Sequence, residues 1–366
     1  MKKIAIFHWE DLSQKHVSSV GLYIKNFLDN KSKFYQFSYF GCNGRGATCQ
    51  LKYRKKVFGL LPISFQFFFD LLKKRKKFLG LDAVWFHQIY YASTLLWLKN
   101  RPKIFLTIHG RRGSHTFPFR KNALKSWLVK IAERMAVSLC DKIFLLNLPD
   151  LNYYHKHYRS YRKKFIYTPN FYQKNTFFPR NKLRVKKAIG FSGKVIFIYT
   201  GRLALSKQIC LSLKIFAKYN QKNSASVFLI IGSGERENKL KNLTKKFNLE
   251  KKVIFFPWMS QNDLAKFYQA SDIFLSCSLF EGMSLSMLEA MACKVPVVAL
   301  FSPELKELII DNKNGFLFDF KRESIEKVVQ KIEELVASKE MPESTYKFVR
   351  QFSSRQAMPA ILKLFD

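Results

Sequence analysis

The sequence predicts an α/β protein of two doubly wound, Rossmann-like lobes with a ligand cleft between them, and three observations carry that prediction. Short apolar runs alternate with helical patterns along the whole chain, as they do where helices cover both faces of parallel sheets. The chain of 366 residues exceeds a typical single domain. Midway, Ile166 to Pro179 carries two prolines and several turn-formers, which marks a linker. We assign residues 1–170 to a first lobe and 171–342 to a second, and expect 343–366 to be a C-terminal helix packing back on the first.

In the first lobe the apolar runs 3–8, 34–40, 83–87, 103–108 and 142–146 have the length of buried strands. Segments 17–28, 63–77, 89–98, 122–139 and 149–157 have helical spacing. The second lobe restarts the rhythm, with strands at 194–200, 227–231, 252–256, 272–276, 295–299 and 316–318. Its helices are expected at 207–220, 235–247, 261–269, 285–292, 303–310 and 323–337. Doubly wound sheets bind ligands at the carboxyl ends of their strands, so the loops that follow strands are the informative ones.

Composition narrows the class. Hydrophobic residues make up 48% of the chain, ample for buried cores. The six cysteines are scattered without a C-x-x-C pair or zinc-type spacing, and read as reduced thiols of a cytosolic protein. The opening apolar run is too short for a secretory signal. Val57 to Leu72, interrupted by Pro62, Ser64, Gln66 and Asp70, is too polar to span a membrane. The net charge is +38; residues 1–180 carry 34 basic against 8 acidic side chains (+26) and residues 181–366 carry 30 against 18 (+12). Such an excess points to nucleic acid, anionic lipid or an acidic substrate as partner.

The strongest motif runs from Glu281 to Ala292. Gly282, Met283, Ser284 and Leu285 lie where a turn becomes a helix, whose unpaired amides suit a phosphate. Glu289 lies a turn further on, within reach of a ribose, and Glu281 is placed to accept from sugar hydroxyls. After strand 194–200, Gly201 allows close backbone approach, while Arg202 and Lys207 offer cations for a leaving diphosphate. Gly232-Ser-Gly234 lacks the third glycine of a dinucleotide fingerprint and is either a pocket lining or a tight turn. Trp258 offers an aromatic surface for a nucleobase. No two aspartates lie two positions apart, so a D-x-D metal motif is absent.

The order G-R-x4-K, G-x-G, E-G-x-x-L-x-x-x-E-A-M-A, P-V-V-A and Asn314-Gly-Phe-Leu317 resembles retaining glycosyltransferases of family 4 (glycosyl transferases group 1), which have the GT-B fold. The resemblance is close over 195–320, weaker over 100–180 and vague before that. It implies an acceptor-binding first lobe and a nucleotide-sugar-binding second lobe. Arg202, Lys207 and the amides around Ser284 would hold the diphosphate, Glu289 the ribose and Glu281 the donor sugar; Gly232 and Trp258 stand beside them as donor-binding candidates from the residue reading alone. Thr107-Ile-His109-Gly110 looks like the family's strand-end histidine, which makes His109, with Glu281, the catalytic candidate. No metal or other cofactor is expected.

Three departures stand out: one glycine in Ser18-Ser-Val-Gly21, Lys294 where glycine is usual, and Gly110 after the histidine. The implied reaction moves a sugar, with retention, from a UDP-linked donor to a glycan or lipid-linked acceptor in bacterial surface polysaccharide synthesis. Arg111, Arg112 and Arg120 would suit a phosphorylated or lipid-diphosphate acceptor. Basic clusters at 52–56 and 73–77, bracketing Phe65, Phe67, Phe68 and Phe69, suggest a cytoplasmic protein peripherally bound to the anionic inner face of the membrane. The alternatives are a sugar-nucleotide epimerase or phosphorylase on the same architecture, or a basic nucleic-acid-binding protein, although no nucleic-acid recognition motif accompanies the charge.

Overall fold

The computed structural model describes residues 1–8, 10, 12, 17–29, 34–42, 49–51, 63–96, 98–110 and 123–366. The chain divides into two units, Met1–Pro169 with Ala360–Asp366, and Asn170–Pro359.

The first unit contains β1 (Lys2–Phe7), α1 (Ser19–Leu28), β2 (Tyr35–Cys42), β3 (Cys49–Leu51), α2 (Ile63–Lys74), β4 (Ala83–Phe86), β5 (Lys103–Ile108), α3 (Ala123–Leu139), β6 (Lys142–Leu145), α4 (Leu148–His157) and β7 (Phe165–Tyr167). Its strands form a parallel sheet in the order β3-β2-β1-β4-β5-β6-β7. Strand order therefore reverses between β1 and β4. β4 is buried along its whole length and β5 at all but its first residue, as strands covered by helices on both faces must be.

Phe365 seals one side of this sheet. It is 2% exposed, and its ring lies 4.7 Å from Phe105, 5.1 Å from Trp85 and 5.8 Å from Phe144. The backbone around it is held by Lys142, which donates to the Leu364 carbonyl at 2.5 Å, and by Tyr35, which donates to the Asp366 carboxylate at 2.5 Å.

The second unit contains α5 (Lys182–Ala188), β8 (Val195–Thr200), α6 (Ile209–Lys222), β9 (Ser226–Ile231), α7 (Glu237–Lys246), β10 (Val253–Phe256), α8 (Gln261–Ala270), β11 (Ile273–Ser276), α9 (Leu285–Ala292), β12 (Val297–Leu300), β13 (Gly315–Phe318), α10 (Ile325–Ala337) and α11 (Met341–Val349). The sheet order is β10-β9-β8-β11-β12-β13, again parallel, with the reversal between β8 and β11. Asp272 joins α5 to this sheet: it accepts from Lys182 at 3.1 Å, from Lys186 at 2.5 Å and from the Ile196 amide at 2.8 Å.

Several elements differ from the sequence expectation. The short strands β3 and β7 and the helix α5 were not anticipated. Segment 89–98 is a 3-10 helix over Ile89–Leu95, and 303–310 contains only a 3-10 turn, Pro303–Leu305. In the first of these, Ser93 and Thr94 donate at 2.7 Å to the carbonyls three residues back, local bonding that competes with the α-helix. Residues 343–365 are not one helix: α11 ends at Val349, a 3-10 turn spans Arg350–Phe352, and α12 (Ser354–Lys363) carries the chain into the first unit at Ala360.

Truncating Phe365 to Ala should cost the first unit about 3–5 kcal/mol, the range for emptying a buried aromatic site. Urea unfolding followed by tryptophan fluorescence reads it well, since Trp9, Trp85, Trp97 and Trp127 lie before the linker. An unchanged midpoint would contradict the packing described.

Candidate functional site

The loops leaving β8 and β11 face one another across the reversal of the second sheet, and backbone contacts fix them. Gly201, at φ 148°, turns the chain out of β8, and the Tyr199 hydroxyl donates to the Arg202 carbonyl at 3.2 Å. The next loop braces this one. A Cβ on Gly232, at φ 142°, would lie 2.0 Å from the Gly201 carbonyl oxygen, and the Leu203 amide donates to the Ser233 carbonyl at 2.9 Å. Gly232 thus lets two loop backbones touch, which side chains of any other size forbid.

Beyond Arg202 the chain makes a 3-10 turn, Leu205–Lys207, to which the exit of β11 is tied by the Leu279 amide donating to the Ser206 carbonyl at 2.9 Å. The Lys207 ammonium meets the Glu281 carboxylate at 2.5 Å, with both side chains largely buried. Arg202 is exposed and has no acidic partner among the described residues. The site therefore keeps one uncompensated cation beside a paired one.

The turn Gly282–Ser284 leads into α9. Asn170, the first residue of the second unit, donates its side-chain amide to the Met283 carbonyl and holds this turn in place. Ser284 is the N-cap residue but makes no side-chain cap; its hydroxyl contacts that of Ser286 at 3.0 Å. The first amide bonded within the helix is that of Leu288, to the Ser284 carbonyl, so the amides ahead of it keep their hydrogen-bonding capacity. Met283 and Leu285 are buried and anchor the turn from below.

One turn further, Glu289 is 3% exposed. Tyr268 donates to its Oε2 at 3.5 Å and is itself paired with the Thr200 hydroxyl at 2.5 Å. Oε1 of Glu289 is buried with no hydrogen-bond partner among the described residues. Burial raises this carboxyl from 4.5 to about 8, partly opposed by Tyr268 and Gln261. Gln261 opens α8 just after Trp258, which is half-buried in the loop that follows β10. The sequence motifs did not single out Asn170, Tyr199, Tyr268 or Gln261. A buried tyrosine hydroxyl needs a partner, and that was the available signal for Tyr268.

In the first unit His109 follows β5, next to Gly110 at φ 108°. Its Nε2 lies 2.8 Å from Nδ1 of His87, which follows β4. His8 follows β1 and approaches Glu10 at 3.4 Å. Three histidines thus stand at the carboxyl ends of adjacent strands, although sequence reasoning named only one. Burial, and then the neighbouring His8, pulls His109 down to about 3; burial, with His109 next, holds His87 well below its usual range. Both rings are neutral near pH 7. Glu10 accepts from the amide and, at 2.6 Å, the hydroxyl of Ser18, so its own carboxylate takes up bonds at the start of α1.

Arg111, Arg112 and Arg120 lie outside the described residues, as do residues 52–56 and the side chains of Phe65 and Phe67. Phe68 packs against the core and Phe69 is 48% exposed. Among the described residues no group of three or more His, Cys, Asp or Glu side chains is placed to hold a metal ion.

Comparison with known proteins gives the family and the fold. The family model "Glycosyl transferases group 1" covers residues 181–352. An uncharacterized glycosyltransferase of Haemophilus influenzae is 30% identical over 350 residues, 93% of this chain and 92% of its own. The UDP-Gal:alpha-D-GlcNAc-diphosphoundecaprenol alpha-1,3-galactosyltransferase of Escherichia coli is 30% identical over 227 residues; the match takes in 60% of this chain and 56% of that enzyme, so the likeness spans little more than half its length. The crystal structure of Anabaena Alr3699/HepE in complex with UDP and glucose superposes with a TM-score of 0.77 at 13% identity, over 100% of this chain and 99% of that one. The sheet orders and this superposition give the GT-B fold. The chain belongs to the glycosyl transferases group 1 family and is a glycosyltransferase.

Proposed function

We propose that this glycosyltransferase moves a sugar from a UDP-linked donor, with retention of configuration and without a bound metal, to a glycan or lipid-linked acceptor of a bacterial surface polysaccharide, as a family 4 enzyme. The observation that carries the reading is the grouping, at one sheet reversal, of Arg202, Lys207 and the uncapped start of α9. Breaking the bond from the anomeric carbon to the diphosphate leaves the electron pair on a phosphate oxygen. Fixed cations and helix amides stabilise that charge as it forms. The acceptor hydroxyl forms the new bond on the face the diphosphate leaves, and its proton passes to the departing phosphate.

The remaining residues bind and orient. Glu289, with a buried oxygen lacking a partner among the described residues, is suited to the ribose hydroxyls, and Trp258 near Gln261 to the base. Glu281 takes sugar hydroxyls while Lys207 holds its charge in place. His109, uncharged, offers a hydrogen bond to the donor sugar or its phosphate. The Escherichia coli relative is named for a UDP-sugar and a lipid diphosphate, which supports the donor and acceptor classes. The excess of +26 over residues 1–180 supports attachment to an anionic cytoplasmic membrane face, with Arg111, Arg112 and Arg120 toward the acceptor. Among the described residues no helix is long and apolar enough to cross a membrane.

Uridine diphosphate should raise the melting temperature of the wild type by binding only the folded state, and Glu289→Ala should remove the shift. Absence of a shift with every nucleoside diphosphate would defeat the donor assignment. Arg202→Ala and Lys207→Ala should each lower transfer by about a hundredfold or more, as loss of a charge-stabilising group does; near-normal turnover in both would reject the anchors. A third test uses pH. Between 4.5 and about 8 the unfolded chain has released the Glu289 proton that the folded protein keeps. The stability tied to this group is full below 4.5 and is lost as pH rises through about 8. Glu289→Gln should therefore gain thermal stability over the wild type across that window and level off above it, whereas parallel curves would contradict the burial.

A further inference from the structure

We propose that His87 is a positioning residue for transfer: it holds the His109 imidazole as the Nδ1–H tautomer, so that the ring offers a hydrogen-bond donor to a substrate oxygen. The proposal rests on the reading of His109 as the group facing the donor sugar.

The two rings stand 5.1 Å apart with 30° between their planes, and Nδ1 of His87 is 2.8 Å from Nε2 of His109. One of those nitrogens carries the hydrogen and the other accepts it. His87 Nε2 is buried and has no partner among the described residues. If Nδ1 of His87 were the acceptor, its Nε2–H would be a buried donor without an acceptor. If Nδ1–H donates, only a lone pair is left unmatched, and buried structures tolerate an orphaned acceptor better than an orphaned N–H. His87 then donates to Nε2 of His109, and the His109 hydrogen must sit on Nδ1. That nitrogen has no hydrogen-bond partner among the described residues, and the residue as a whole is half-buried.

Packing keeps the arrangement rigid. The His87 ring lies 4.9 Å from Trp85, whose indole donates to the Thr107 hydroxyl at 2.8 Å, and Tyr23 stands edge-on to both histidines at 6.0 and 5.5 Å. Burial keeps both imidazoles neutral, so a defined tautomer exists to be held.

The test is made on full-length protein labelled with nitrogen-15 histidine, using long-range proton–nitrogen spectra with His109→Gln to assign the signal. Turnover is read as UDP release from a panel of UDP-sugars. The wild type should show His109 as Nδ1–H. His87→Asn, whose amide can donate from the same place, should keep that tautomer and most of the rate. His87→Asp, an acceptor, should move the hydrogen to Nε2, and His87→Leu should lower kcat by about tenfold to a hundredfold with KM for the donor little changed. A wild-type Nε2–H signal, or a tautomer that His87→Asp leaves unmoved, would overturn the proposal. A tautomer that moves while kcat stays constant would instead overturn the role given to His109 in transfer.

Discussion

Two neighbouring parallel strands whose connections run to opposite sides of the sheet leave the space above their carboxyl ends unfilled. This constraint organises both halves of the protein. β8 continues toward β9 and β11 toward β12, so the loops bearing Arg202 and Glu281 come together where the sheet order reverses, joined by the Lys207–Glu281 pair. The same reversal between β1 and β4 sets His8 and His87 side by side, with His109 on the next strand. Side chains distant in sequence share one place because the winding of the sheets puts them there.

Charge separates what holds the fold from what serves the site. Asp272 receives two lysines and a backbone amide, so its carboxylate is fully satisfied and fastens α5 to the sheet. Lys207 has one carboxylate and Arg202 has none among the described residues, although both lie on a loop rigidly braced by Gly232 and Tyr199. Glu289 is the reverse case, an acid placed where burial opposes its charge and one oxygen finds no donor among the described residues. A group kept in such a place lowers stability, and proteins concentrate such costs at binding sites.

The sequence made the strand–helix alternation and the charged anchors legible because both are local: apolar spacing marks an element, and a motif such as Glu281 to Ala292 carries its own turn and helix start. What escaped depends on partners far along the chain. Lys182-Leu-Arg-Val-Lys186 has little apolar surface, and it is a helix because Asp272 waits for it. β7 is three residues long and forms only because β6 lies ready as a neighbour. Lys294, an odd substitute for glycine, does adopt a left-handed φ of 66° after α9, and Glu343 and Tyr346 of α11 hold its side chain. The pairing of His87 with His109 was invisible for the same reason, since only the sheet order makes them adjacent.

Neutral histidines and fixed cations imply a division of labour in the proposed reaction. A ring that burial pulls down to about 3 carries no charge near neutral pH, so His109 has no coulombic attraction to give a departing diphosphate. In the proposed reaction that stabilisation would come from Arg202, Lys207 and the amides of α9, all in the second unit. The proposed role of His109 would then be directional, the identity of the nitrogen bearing the hydrogen mattering more than net charge. Under the proposed mechanism, loss of Arg202 or Lys207 would therefore remove energy from the transition state, whereas a change at His87 would remove orientation while leaving every charge in place.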